Sequence, residues 1–593
     1  MVIQRIFDVL EYQETNYPLS DALNRKENGT WKSYSTQEVR HIVNQVSAGL
    51  LQLGVQPGDK VAIASTNRPE WNFIDLGTQQ IGAIPVPIYP TMGIENYGYI
   101  CRHAEVKVAF VEDQGLYDKI YEATNDRPLE GIFTFDRLRT ADHWSSILVD
   151  KPDLEAIQTL KDKITADDLM TIIYTSGTTG KPKGVMLTHK NVVINVMDVD
   201  ERLSAKRGES RVISFLPLSH IFERTGVYTF LYMGFSVYYA ESIDKIAENI
   251  KEVKPHLFTT VPRLLEKIFD KIMAKGDEAG GIIKFLLRWA VNLGFEYEPH
   301  KSMPVWKAFQ LDLARAIVFK KWREALGGSI EMIFSGGAAL QPRLARLFWA
   351  AEIPVCEAYG LTETSPGITS CVVDPKGMRA GTVGTAFSHV EVKIADDGEI
   401  LAKGDSIMKG YYKEPEKTAE VLKDGWFHTG DIGTFVEGKF LKITDRKKEM
   451  FKTSGGKYIA PQVIENCLKE SSFIEQTMVV GEGRKFPSAL IVPNFETVQS
   501  WAAEEGVPFD SREAITDNAA FIQKMEAEVR QTNKDLGKWE QIKRFILLPT
   551  EWSVETGELT PKMSLKRRII LDQQRDKIEE LYRTAEQQKM QKA

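Results

Sequence analysis

The chain has 593 residues, 43% of them hydrophobic and 26% charged, with a formal net charge of -7. That length exceeds what one compact core sustains, so two or more lobes are expected. The acidic balance argues against a nucleic-acid partner, which needs a basic footprint.

Four widely spaced cysteines (Cys101, Cys356, Cys371, Cys467) form no metal-ligand or CxxC pattern, as expected of reduced thiols in a cytoplasmic protein. The N-terminus Met1-Val2-Ile3-Gln4-Arg5 lacks the apolar stretch of a secretory signal. No run approaches the ~18 apolar residues of a membrane span. The expectation is a soluble, cytoplasmic protein, at most peripheral at the inner face of a membrane.

Helical and strand periodicities alternate through the first half. Thr36 to Leu53 has helical spacing and stops at Gly54, and Lys60 to Ala64 reads as a strand. Asn72 to Gly82 is helical, then Ala83 to Ile88 and Lys107 to Val111 are strand-like. The alternation continues through Arg211–Leu216 and Ser329–Phe334 and predicts βαβ units with a largely parallel sheet.

Within this region lies Tyr174-Thr175-Ser176-Gly177-Thr178-Thr179-Gly180-Lys181-Pro182-Lys183-Gly184, between the apolar runs Met170–Ile173 and Val185–His189. Glycines admit backbone N–H groups, hydroxyls donate and lysines supply charge, so a loop of this kind holds phosphate. It is not the usual P-loop, whose Gly-Lys-Ser/Thr opens a helix: here Gly180-Lys181 is followed by Pro182. A flexible linker is the alternative, but linkers seldom combine four hydroxyls and two lysines between apolar strands.

Residues 281–325 carry eight bases (284, 288, 301, 307, 315, 320, 321, 323) against four acids (296, 298, 312, 324), a local +4 in an acidic chain. Two readings are open: a pair of packed surface helices, or an interfacial patch on anionic lipid. Further on, Ser335-Gly336-Gly337-Ala338-Ala339 leaves room for a flat base or an aliphatic chain. In Ala358-Tyr359-Gly360-Leu361-Thr362-Glu363-Thr364, Glu363 is the carboxylate that could hold Mg²⁺ beside phosphate. From about Asp396 the texture changes to short strands with glycine turns. Gly425-Trp426-Phe427-His428-Thr429-Gly430-Asp431 offers Asp431 to ribose hydroxyls, a plain turn aspartate being the alternative. The charge cluster Thr444–Glu449 follows, then helical Val463–Leu468 and strand-like Gln476–Val480 and Ala489–Val492. Near the end stands the basic run Leu559–Arg568.

Together and in this order, Tyr174–Gly184, Tyr359–Glu363, Trp426–Asp431, Arg446–Pro461 and the Lys566 region resemble the adenylate-forming (AMP-binding) superfamily over nearly the whole chain. The segment Phe215–Arg224 and the insert after Lys275 look most like its long-chain fatty acyl-CoA synthetase branch. The resemblance implies a large N-terminal lobe of α/β layers with a smaller β region (1–447), carrying ATP and acyl sites. A small mobile α+β C-terminal domain (448–593) follows. It also implies fatty acid, ATP and coenzyme A as substrates, with Mg²⁺. Delivery of the adenylate to a carrier protein, or a silent binding protein, are the other readings.

By the same resemblance, Thr175, Ser176, Gly177, Thr178, Thr179, Gly180, Lys181 and Lys183 bind phosphate. Thr178 and Glu363 share Mg²⁺. Gly337, Ala338, Ala358, Tyr359, Gly360 and Thr362 frame adenine, while Asp431 and Arg446 hold the ribose. His220, Gly336 and Gly337 line the acyl pocket. Lys448 is the hinge, and Gly455, Gly456 and Lys457 line the coenzyme A passage. Lys566 is the mobile catalytic lysine. Two positions depart from the pattern: Arg224 stands where some relatives carry a gating tryptophan. The segment Pro561–Lys566 is one residue shorter than usual, which leaves Lys562 as the other candidate.

Overall fold

The protein is described by a computed structural model covering residues 3–175, 181–553, 555–560 and 565–592. The chain divides into two compact units. The first comprises Met1–Lys393, Leu401–Thr429 and Phe435–Lys442; the second comprises Ile394–Ile400, Gly430–Thr434 and Ile443–Ala593.

The first unit is built on two α/β sheets. In the smaller, β1 (Lys60–Ala64) lies between strands Ile84–Pro87 and Val106–Val111, followed outward by Gly131–Thr134 and Asp142–His143, all parallel. Apart from Lys60 and Lys107, which are half-buried, the central strands are apolar and buried on both faces, as parallel strands under helices must be. Helix α1 (Pro69–Gln80) is buried along its entire length. The helical reading began at Asn72, but Pro69 opens the first turn, where its missing N–H has no intrahelical partner to lose.

The larger sheet has nine strands. Its parallel centre includes Arg211–Ser214, β4 (Leu257–Thr260), β5 (Met332–Ser335) and β6 (Val355–Gly360), and antiparallel strands close both edges. Between the sheets in sequence come β2 (Leu169–Thr175) and β3 (Lys183–Thr188), an antiparallel pair that also carries the short strand β7 (Gly410–Tyr411). The apolar run was read as far as His189, yet β3 ends one residue earlier. Thr188 and Asn191 form a reciprocal capping box, so His189 opens a helix instead. Likewise Arg211–Leu216 is strand only to Ser214.

Helix α2 (Ile221–Tyr232) follows the first central strand. The insert between β4 and β5 forms α3 (Pro262–Ala279), α4 (Gly281–Phe295) and α5 (Val305–Ala314). A π-helical turn Arg315–Phe319 and a short helix Lys320–Ala325 complete it. Helix α6 (Pro342–Ala350) packs on α4, where Leu347 fills the space beside Gly294.

The second unit has its own core, centred on Ile464, Leu490, Ile491, Phe521 and Ile570. Its strands Ile474–Val480 and Ser488–Pro493 are antiparallel, and Phe545–Leu547 joins them in parallel. Helices Pro461–Leu468 and Ala519–Thr532 belong to the same unit, which is α+β. Among the described residues no helix is long and apolar enough to cross a membrane.

Candidate active site

The hairpin between β2 and β3 pairs Thr175 with Lys183 and Tyr174 with Gly184. Thr175 and Lys183 thus form a fixed two-stranded base on either side of residues 176–180. Ser176, Gly177, Thr178, Thr179 and Gly180 lie outside the described residues. At the base, Lys181 Nζ stands 5.3 Å above the Tyr99 ring, and Lys183 Nζ 4.1 Å above the Tyr411 ring. An aromatic face holds a cation in place while leaving its charge intact. Tyr174 is a buried supporting residue, with its hydroxyl 2.7 Å from His103 Nδ1.

Tyr411 joins this base to Glu363. Its hydroxyl donates to Glu363 Oε1 at 2.9 Å, and the Met408 N–H donates to the Glu363 carbonyl. Burial, with Glu363 beside it, pushes the Tyr411 phenol far above its usual range, so it remains a donor. Lys183, Tyr411 and Glu363 thus form one connected cation–ring–carboxylate line. A single carboxylate backed by a neutral phenol fits a Mg²⁺ ion that takes its remaining oxygens from phosphate and water. Among the described residues, no group of three or more His, Cys, Asp or Glu could cage a metal with protein ligands alone.

The turn carrying Glu363 is tightly constrained. Asn195 spans it, donating to Gly367 O at 2.8 Å and accepting from the Gly367 N–H at 3.2 Å. A Cβ on Gly360 would fall 1.8 Å from the Pro366 carbonyl oxygen, so only glycine fits where β6 bulges. Ala358 and Tyr359 precede it in β6, and Thr362 is buried.

Parallel to β6, β5 ends at Ser335 and releases the Gly336-Gly337-Ala338 loop, whose residues 337–339 are exposed. A Cβ on Gly336 would lie 3.1 Å from the Phe222 ring. Glu357, buried in β6, accepts the Leu340 N–H at 3.1 Å and so closes this loop. Burial raises its carboxyl to about 8 against the opposing effect of that hydrogen bond.

His220 caps α2, its Nδ1 accepting the Phe222 N–H at 3.0 Å, which leaves the neutral ring's proton on Nε2. Arg224, the position of the expected gate, is wholly buried. It pairs with Asp75 on α1, donates to Thr171 on β2 at 2.8 Å and to the Tyr228 hydroxyl at 2.7 Å. Three fixed partners make Arg224 a strut between layers, so it is not a gate. Next to it, Glu223 accepts from Ser214 at 2.5 Å and from Thr259, and burial lifts its carboxyl to about 7.

In the second unit Asp431 lies inside the long strand Trp426–Val436 and is buried, which corrects the turn reading. Arg446 Nε stands 3.5 Å from Asp431 Oδ1. Lys448 occupies the exposed turn after Arg446, flanked by Lys447, which pairs with Asp397 and Glu399 at 2.6 and 2.8 Å, and by Glu449. Gly455 and Gly456 form the tip of the hairpin Phe451–Lys452/Tyr458–Ile459. Gly456, at φ +77°, is required by the turn itself. Lys457 stands 5.6 Å above the Trp539 ring.

Lys566 heads the helix Arg567–Gln573, its N–H donating to Glu558 O at 2.7 Å, and an isolated bridge Leu559–Leu565 closes the preceding loop. Lys562 lies outside the described residues. Arg567 anchors the segment to Glu449 at 2.8 Å and to Glu465 at 2.7 Å. Tyr411 and Glu357 lie outside the motifs, whereas Phe222 and Arg567 lie within Phe215–Arg224 and Leu559–Arg568 without a role read for them. For Tyr411 the sequence signal is the aromatic pair Tyr411-Tyr412 after Gly410.

Comparison with known proteins accords with this geometry. The sequence pattern of the AMP-binding enzyme family matches residues 10–412, and that of the AMP-binding enzyme C-terminal domain matches 449–586. The chain is 32% identical to the long-chain-fatty-acid–CoA ligase FadD15 of Mycobacterium bovis, over 93% of both sequences. It is 32% identical to human long-chain-fatty-acid–CoA ligase 1, over 93% of this chain and 82% of the relative. In fold it is similar to the A domain of a carboxylic acid reductase from Segniliparus rugosus, solved with AMP and a co-purified carboxylic acid. That likeness has a TM-score of 0.76 at 19% identity, covering 98% of this chain and 94% of that one. A second likeness is Bacillus subtilis O-succinylbenzoate coenzyme A synthetase, solved with ATP and magnesium. Its TM-score is 0.66 at 18% identity, covering 94% of this chain and 98% of that one. The chain belongs to the AMP-binding (adenylate-forming) enzyme family, in its long-chain fatty acyl-CoA synthetase branch.

Proposed function

We propose that the chain is a long-chain fatty acid:CoA ligase that first forms acyl-AMP with release of pyrophosphate, then passes the acyl group to coenzyme A. The observation that carries this reading is the Lys183–Tyr411–Glu363 line at the foot of the β2–β3 hairpin. A fatty carboxylate titrates near 4 to 5, like a side-chain carboxyl, and so arrives ionised without a base. The difficulty is one anion attacking the α-phosphate of a polyanion, which calls for positive charge and in-line positioning.

Lys181 and Lys183 supply that charge at the hairpin base, with Thr175, Ser176, Gly177, Thr178, Thr179 and Gly180 contributing hydroxyls and amides. Glu363 and Thr178 would hold Mg²⁺, which supplies charge neutralisation between phosphate oxygens. Gly337, Ala338, Ala358, Tyr359, Gly360 and Thr362 frame adenine; Asp431 and Arg446 hold the ribose. His220 and Gly336 wall the acyl chain, with Phe222 against Gly336 as an additional contact. Lys566 steadies the α-phosphate as pyrophosphate leaves. Lys448 serves as the hinge between the adenylating region (1–447) and the C-terminal region (448–593). Gly455, Gly456 and Lys457 line the pantetheine passage. The protein acts in the cytoplasm, and residues 281–325 touch a membrane peripherally.

The test supplies ATP, Mg²⁺, coenzyme A and saturated fatty acids from octanoate to eicosanoate. Equimolar AMP, pyrophosphate and acyl-CoA, with a preference for the longer acids, is the expected result. Formation of ADP, or adenylate without thioester, would overturn the assignment.

A further inference from the structure

Sixteen large hydrophobic side chains are exposed among the described residues, and eight of them fall between positions 282 and 317. A soluble surface normally scatters such residues singly, and a contiguous cluster marks a contact. Ile282, Ile283 and Phe285 stand out from the first turns of α4 at 76%, 56% and 70% exposure. Val305, Trp306, Phe309 and Leu313 fall within about a 100° arc of α5 at 100° per residue. The opposite side of α5 buries Leu311 and Ala314. Trp306 and Phe309 stack at 5.9 Å with their rings outward. The stripe runs on at four-residue spacing through Ile317 and ends in Lys321.

The charges of the same insert tell a second story. Lys284 and Arg288 pair with Asp277 at 3.3 and 3.0 Å, and Arg323 pairs with Glu352 at 2.9 Å. Two carboxylates from outside residues 281–325, Asp277 and Glu352, therefore offset part of the local +4 of that segment. Lys307, Arg315 and Lys320 have carboxylates within 4.0 Å inside the insert. Lys301 and Lys321 are exposed with no carboxylate partner among the described residues. Most of the basic excess is thus neutralised at home. What remains is an apolar ridge with lysines at its margin, the composition of a surface that lies in a lipid interface. A second copy of the chain fits poorly, because a two-fold contact would set these lysines against themselves.

We infer that the α4–α5 ridge inserts into the headgroup–acyl boundary of an anionic bilayer, anchored by apolar burial, with Lys301 and Lys321 adding attraction to headgroups. Helix α3 connects this ridge to the candidate site. Its leading residue Val261 lies 4.0 Å from the Cβ position of Gly337, and its last turn ends at Gly280, just before Ile282. Eighteen residues make a strut of about 27 Å. Docked in this way, the protein meets fatty acid in the lipid phase where that substrate resides; only this clause rests on the ligase reading.

The test is flotation of the full chain with vesicles of phosphatidylcholine alone and of phosphatidylcholine with phosphatidylglycerol. The wild type should float with both, more strongly with the anionic set. Trp306→Ser/Phe309→Ser should lose about ten-fold or more of its partitioning on both, as loss of apolar insertion requires. Lys301→Glu/Lys321→Glu should lose only the anionic increment and its salt sensitivity. Leu313→Ser, a milder change on the same face, should fall between. Flotation of the aromatic pair variant at the wild-type level overturns the inference. So does a wild-type dimer that this variant dissolves while neither protein floats. Thioester formation from palmitate delivered on serum albumin, assayed without vesicles, tests the ligase reading separately: its absence in a wild type that floats would sink that reading and leave the docking surface standing.

Discussion

Tyr411 is the sharpest place to test the site, because one hydroxyl separates two roles. Tyr411→Phe keeps the ring under Lys183 and the packing of a side chain only 4% exposed, while removing the donor to Glu363. A hydrogen bond to a charged acceptor is worth about 1.5–3 kcal/mol. Glu363 is half-buried, so water can replace part of the loss and the lower end applies. That is about a ten-fold drop in kcat/KM for pyrophosphate release at 1.4 kcal/mol per decade. The drop should come with a higher Mg²⁺ concentration at half-maximal rate, since an unrestrained carboxylate is a poorer ligand. The denaturation midpoint should hardly move. Tyr411→Ala, by contrast, opens a cavity costing about 3–5 kcal/mol and removes the support of Lys183, so it should lose stability and activity together. Pyrophosphate release would be followed by a coupled assay across Mg²⁺ concentrations, with urea denaturation in parallel. If Tyr411→Phe matches the wild type at every Mg²⁺ level, the hydroxyl does not position Glu363 and the cation–ring–carboxylate line is a packing detail.

Four further outcomes follow from the same structure. Lys566→Ala should abolish adenylate formation yet still convert supplied acyl-AMP and coenzyme A to thioester; equal loss of both halves removes Lys566 from its role. Glu357, with its carboxyl raised to about 8 in the fold against 4.5 outside it, contributes stability that is complete below pH 4.5 and is lost as pH rises towards 8. Glu357→Gln keeps an acceptor for the Leu340 N–H and should flatten that slope in urea denaturation at pH 5, 6.5 and 8; an unchanged slope would mean another group produces it. Arg224→Met strands the buried Asp75 carboxylate and should cost about 3–5 kcal/mol, whereas Arg224→Met/Asp75→Leu should recover much of it; a single variant as stable as wild type refutes the strut. Gly360→Ala should yield little folded protein or shift the Glu363 turn enough to remove activity, and near-normal activity would show that the bulge yields easily.

Much of the fold was legible because its signals are local. Val61-Ala62-Ile63-Ala64 and Met332-Ile333-Phe334 read as buried strands from composition alone, and both are. The edges were not, since they depend on caps: Thr188 and Asn191 end β3 at 188, and Pro69 opens α1 three residues before the periodic apolar pattern begins. At the site, the motifs led to Glu363 and Lys183 but not to what links them. Tyr411 reaches Glu363 across 48 residues of sequence, through the pairing of β7 with β3. No periodicity encodes such a contact. Arg224 shows a different limit. It departs from the gating tryptophan of some relatives, which left its role open, and only three-dimensional packing reveals Asp75, Thr171 and Tyr228 around it.

These two cases share a physical cause. A carboxylate that must serve a polyanion cannot be tied to a permanent cation without weakening its hold on metal, so Glu363 is oriented by a neutral donor, Tyr411. A carboxylate with only a structural task has no such limit, and Asp75 is locked to Arg224 in full burial. Asp75–Arg224 joins two charges at no functional expense, whereas Glu363–Tyr411 leaves the negative charge available at the edge of the hairpin. Glu363 and Asp75 thus differ both in partner and in burial, the one half-buried against a neutral phenol and the other fully buried against a cation. Glu357 and Glu223 also receive neutral donors, a backbone amide and two hydroxyls, but full burial lifts their carboxyls to about 8 and about 7 and so sets them apart from half-buried Glu363.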